Sequence, residues 1–310
     1  MATIANIANK VNSCSGGSAN TGKLGCNVEF STPAHLIGLK AGTIIPAATI
    51  FNQAYINGLV QAGTAVPLIG ADVFEDLSAE DTMFTASSGV EKLSLKGLPK
   101  YKLTYYEGHE FYREISKLEG FKNLDFLIGD VEGNWMLVKR SDDDFKGFAS
   151  GMVLPEMRKA RVQGGDPESK SIIVQFLSRK EWDENYDILL RDNLENDPED
   201  LQGVNGVNLS FDVVPSDTDT TIVVSALLSA DNSTLIEGLD VDDFLYTVDG
   251  ATEVPTLVSE TNGVYTFTVT ALATSGVITV QLYDSSANKN VIIETSGATY
   301  RSNILTATVV

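Results

Sequence analysis

A chain of 310 residues is long enough to bury two separate cores, and 43% hydrophobic with 21% charged residues is the balance of a folded protein. The formal charge of −20 argues against a grip on phosphate backbones, which needs Lys and Arg to displace counterions, although a channel that lets DNA slide past without sticking would tolerate this sign. No stretch approaches the roughly 18–20 apolar residues of a membrane span, and Met1–Lys10 lacks the basic-then-apolar pattern of a secretory signal. A protein that folds in a cytoplasm, with no membrane partner, is the expectation.

Residues 1–31 are rich in small and polar side chains and predict an N-terminal arm. Two cysteines, Cys14 and Cys26, lie in it. Their spacing leaves open a disulfide, two free thiols, or a metal site if two further ligands join them. Pro46 with Phe51, Ala54, Tyr55 and Leu59 predicts a helix over 46–62. The acidic stretch from Asp72 to Asp81 reads as a surface loop. Lys92–Lys96 and Tyr101–Tyr106 alternate like strands, and Glu110–Leu118 has the spacing of a short amphipathic helix capped by Gly120. Leu124–Ile128 and Trp135–Val138 flank Glu132-Gly133-Asn134 as a hairpin, and Lys146–Met152 and Ser171–Phe176 predict further strands. Glu181–Leu190 reads as helical.

Residues 32–192 therefore form an α+β domain dominated by antiparallel strands, and acidic 193–205, broken by Pro198, is the expected linker. Beyond it the chemistry changes. From Val204 to Val310 there are two cationic side chains, Lys289 and Arg301, against thirteen carboxylates, with abundant Thr, Ser and Val. Short alternating segments are separated by turn pairs such as Asp249-Gly250 and Asn262-Gly263. That pattern predicts an immunoglobulin-like β-sandwich over 206–310, held by apolar packing because it has no cysteine.

No constellation names a reaction, so no catalytic, cofactor-binding or metal residue is assigned. Asp142–Asp144 and the Asp240, Asp242, Asp243 group lack the spacing of a calcium loop and read as solvated turns. His35 reads as a packed loop histidine and His109 as a surface or helix-start one. Glu181 with Glu184, Asp183 and Asp187 reads as an acidic helix rather than a glycosidase pair. The positive spot in this acidic chain, Arg158-Lys159-Ala160-Arg161, and the pair Lys139-Arg140 are candidates for contacts between identical copies.

Several pieces of residues 10–190 resemble virion structural proteins of tailed phages, of the type seen around Bacteroidetes hosts. These are Asn12-Ser-Cys14 with Gly22 and Cys26, Leu36-Ile37, Ile44-Ile45-Pro46, and Leu93-Ser-Leu-Lys-Gly-Leu-Pro99. Tyr105-Tyr-Glu-Gly-His109, Asn123-Leu-Asp125 with Asp130 and Trp135, and Phe145-Lys-Gly-Phe148 with Gly151 complete them. The element order is similar to tail tube proteins, in which a β-sandwich or barrel with one packed helix assembles into rings. The resemblance implies a non-enzymatic subunit that pairs with itself and with other virion proteins, located in the virion and using no cofactor. Unpaired strand edges would then become interfaces, with Tyr101 and Tyr105, the Lys92–Lys96 strand, the 158–166 loop and the 1–31 arm contributing. A capsid decoration or head-fibre protein, and a cell-surface glycan-binding sandwich, are the alternative expectations.

Overall fold

The computed structural model describes residues 3–4, 30–107, 109–120, 123–140, 144–156, 169–183, 185–191, 203–229, 231–293 and 298–310. Cys14 and Cys26, most of the arm, Arg158, Lys159 and Arg161, and the larger part of the linker lie outside the described residues. The fold is mainly β, and the chain divides into two compact units, Met1–Leu59 with Gly63–Leu201 and Val60–Ala62 with Gln202–Val310.

The first unit is a ten-stranded sheet curled into a half-barrel. Its strands are β1 (Pro33–Lys40), β2 (Ala65–Leu68), β3 (Val73–Asp76), β6 (Lys100–Tyr105), β7 (Leu124–Asp130), β8 (Trp135–Lys139), β9 (Phe145–Lys146), β10 (Phe148–Pro155), β11 (Lys170–Phe176) and β12 (Tyr186–Leu189). The main path runs β12-β8-β7-β10-β11-β6-β3, with β1 joining β7 to β2. A separate two-stranded piece, β4 (Thr82–Thr85) with β5 (Glu91–Leu95), lies between β3 and β6 in the chain.

The sheet forms because β1 and β7 are apolar on both faces. Leu36, Ile37 and Leu39 of β1 and Phe126, Leu127 and Ile128 of β7 are all fully buried. His35 is therefore not a loop residue. It sits on β1, and its Nδ1 accepts the Gly70 N–H at 3.0 Å. Helix α1 (Gln53–Gln61) starts later than Pro46 predicts, because Asn52 Oδ1 caps it by accepting the Tyr55 N–H at 2.9 Å. Helix α2 (His109–Ser116) seals one face of the core with Phe111, Ile115 and the following Leu118, and Gly120, at φ +73, ends the turn. The β7–β8 hairpin forms as expected. Asp130, fully buried, accepts the N–H groups of Ser31, Glu132 and Asn134 and the Asn134 side-chain amide.

Two predictions fail here for local reasons. Asp72–Asp81 is not all loop: Val73–Asp76 pairs with Tyr101–Thr104 as an edge strand, where outward carboxylates are tolerated. Glu181–Leu190 is not one helix. A five-residue helix α3 (Arg179–Asp183) gives way to β12, whose Ile188 and Leu189 are buried against the sheet. The N-terminal segment also departs from a free arm where it is described, since Ile4 is fully buried and its N–H reaches Thr49 O at 2.9 Å.

The second unit is a sandwich of two β-sheets. Strands β13 (Val204–Phe211), β14 (Thr221–Leu228), β17 (Thr256–Thr261), β18 (Val264–Thr268), β20 (Ile292–Ile293) and β21 (Thr299–Ser302) form one sheet in the order β17-β18-β14-β13-β21-β20. Strands β15 (Phe244–Val248), β16 (Ala251–Glu253), β19 (Val277–Leu282) and β22 (Leu305–Thr308) form the other, β16-β15-β19-β22. Because β13 begins at Val204, the end of the predicted linker is already strand. Asp249-Gly250 and Asn262-Gly263 both take positive φ at the two turn positions, as tight hairpins require. Between the sheets pack Val224, Tyr246, Tyr265, Phe267, Ile278 and Val280. Outside, Thr252, Thr247, Thr279 and Thr306 line up across one sheet by register.

Candidate assembly interface

The ladder that starts at Asp72 N–H to Thr104 O does not stop at the sheet. It continues through Leu77 N–H to Lys100 O at 2.8 Å and Ala79 N–H to Leu98 O at 3.3 Å, then into β4–β5. The turn closes with Ala86 N–H to Val90 O at 2.9 Å. Residues 72–105 are therefore one long ribbon, whose base is sheet and whose outer half projects as an arm.

Every residue of β4 and β5 is exposed. Among them Met83 is 49%, Phe84 50%, Leu93 45% and Leu95 69% exposed, with Leu77 and Val90 exposed beside them. Register sets Met83 opposite Leu93 on one face, and Phe84 opposite Lys92 on the other. Full burial of one such side chain is worth about 1.5–3 kcal/mol, and roughly half of that is still to be gained at each. Both strands also keep one unpaired backbone edge, since among the described residues each pairs only with the other. A lone two-stranded ribbon is marginal in water, and this one has little covering it among the described residues. Thr82 to Val90 carries no charge, in a chain of net −20.

The residues singled out from sequence fare differently. The Lys92–Lys96 strand is the arm's second strand, displaced by one residue. Tyr105 is removed from any surface role: its ring is fully buried, and its hydroxyl donates to Leu68 O at 3.3 Å. Tyr101 is half-buried among Phe74, Phe176 and Trp182, all edge-on at 4.9–5.5 Å, and burial pushes its hydroxyl up to about 12. Both tyrosines pack at the ribbon's base. Lys139 and Arg140 are half-buried at the end of β8, where the Arg140 N–H donates to Asp144 O at 2.8 Å.

Of the acidic residues of 181–187, Glu184 lies outside the described residues, and the other three are occupied or apart. Glu181 pairs with Lys146 and accepts the Ala149 N–H at 3.0 Å. Asp183 pairs with Lys96 at 2.8 Å and with Arg179 at 2.9 Å, and Asp187 is buried on β12. Among the described residues, no group of three or more His, Cys, Asp or Glu side chains is placed to hold a metal, and no helix is long and apolar enough to cross a membrane. Comparison with protein families and with curated proteins finds no match.

Proposed function

We propose that this chain is a structural subunit whose work is assembly with copies of itself. The particular assembly we infer is the tail tube of a tailed phage, a stack of rings through which double-stranded DNA passes, made and joined with other virion proteins without a catalytic step. The observation that carries the reading is the projecting β4–β5 arm, which holds apolar side chains and unpaired edges out in solvent. In so acidic a chain, identical copies repel over most of their surface, and an uncharged ribbon offers them a place to meet. The half-barrel with a packed helix and the appended sandwich fit the resemblance drawn from residues 10–190.

The test is negative-stain microscopy and light scattering of concentrated protein, beside a Leu93→Asp, Leu95→Asp double variant. Rings or tubes are expected for the parent. For the variant, the concentration needed to assemble should rise by about 100-fold, equivalent to roughly 2.7 kcal/mol. A parent that stays monomeric at high concentration overturns the reading, and compact trimers without rings point instead to a capsid decoration protein.

A further inference from the structure

The arm has a mount. Helix α3 has only five residues, Arg179-Lys-Glu-Trp-Asp183, yet four of its side chains work in two opposite directions. Toward the half-barrel, Glu181 bonds Lys146 and the Ala149 N–H, and Trp182 stacks at 4.5 Å from Phe148 and 5.0 Å from Phe176. Toward the ribbon, Asp183 Oδ2 accepts Lys96 Nζ at 2.8 Å while its Oδ1 accepts Arg179 Nε at 2.9 Å, and Arg179 Nη1 reaches Gly97 O at 3.2 Å.

All of these ribbon contacts fall on Lys96 and Gly97, the point where the arm leaves the sheet. The crossing there is tight. Gly97 is buried, its N–H donates to Asp81 Oδ1 at 2.8 Å, and a Cβ on it would lie 1.7 Å from Ala79 O. The two strands are pinned to each other and then to α3. A ribbon left to itself would swing about such a crossing, because nothing else described covers β4 and β5.

We propose that Asp183 is a positioning residue for the arm: with Lys96 and Arg179 it clamps the root to α3 and fixes the direction in which β4–β5 is presented to a second copy. The clamp rests on the assembly reading for its use, but not for its existence. A pre-aimed arm loses less conformational freedom on docking than a swinging one, which favours association.

The experiment is hydrogen exchange by mass spectrometry on dilute, unassembled, full-length protein, comparing the parent with Asp183→Ala and Lys96→Ala. Amides of residues 82–95 should exchange about five-fold faster in both variants, while those of β7 and β11 keep their parent rates. Lys96→Arg, which keeps the ion pair, should hold the parent protection. Unchanged exchange in the arm overturns the proposal, as does a uniform acceleration across β7 and β11, which would mean general loosening. Because the measurement needs no assembly, an arm that loosens as expected in a protein that never forms rings would sink the tail tube reading and leave the clamp standing.

Discussion

Strands β5 and β18 are both five residues long and both alternate, Glu-Lys-Leu-Ser-Leu against Val-Tyr-Thr-Phe-Thr. In β18 the larger apolar side chains, Tyr265 and Phe267, are buried between two sheets. In β5 they are Leu93 and Leu95, 45% and 69% exposed. Alternation therefore states that a strand has an apolar face, but not whether that face is covered by its own chain or by another. The sandwich closes its account internally, whereas the arm leaves its own open.

The sharpest way to break this contrast is to truncate one aromatic in each region. Phe267→Ala should cost the sandwich about 3–5 kcal/mol in denaturant melts, whereas Phe84→Ala on the arm should change the stability of the isolated subunit by less than about 0.5 kcal/mol. Equal losses would mean that the arm is packed in the free subunit. A smaller effect sharpens the sandwich side. The Tyr246 hydroxyl is buried there with no hydrogen-bond partner among the described residues, so Tyr246→Phe should raise stability by about 1 kcal/mol, and a loss of that size would show a hidden partner.

The smallest effect is one of pH. The Lys96 ammonium hydrogen-bonded to Asp183, with Arg179 beside it, holds that carboxyl below its ordinary 3.8. A depressed acid contributes fully above its ordinary value and loses that contribution as pH falls through the depressed one. As pH falls below about 4, pepsin should therefore begin to nick residues 82–95 before it nicks the sandwich. Nicking at both places together would separate Asp183 from the arm's order.

Much of the fold was legible where chemistry is local. Glu132-Gly133-Asn134 announced its hairpin, the Asn-Gly and Asp-Gly pairs announced the sandwich turns, and Ser171–Phe176 lies within β11. What escaped was set by distant contacts. Pro33–Lys40 has no alternation because both of its faces are buried, so this strand, paired on both edges, carries no period-two signal. Tyr186–Leu189 follows a helical turn closely enough to read as its continuation, and only its pairing with β8 makes it a strand. The candidate site was half visible: Lys92–Lys96 stood out, but not its exposure. The Asp183–Lys96 pair spans 87 residues of sequence, and no local pattern connects its ends.

The tight crossing at Gly97 has a consequence for redesign. Where a methyl group would collide with Ala79 O, Gly97 accepts no substitution without shifting its neighbours, whereas Ser87 and Ser88 in the loop at the far end of the ribbon are exposed. Tolerance to change is thus graded along a single hairpin, from none at its foot to ample at its crown. A peptide grafted between Ser87 and Ser88 would be carried outward at the tip of the ribbon.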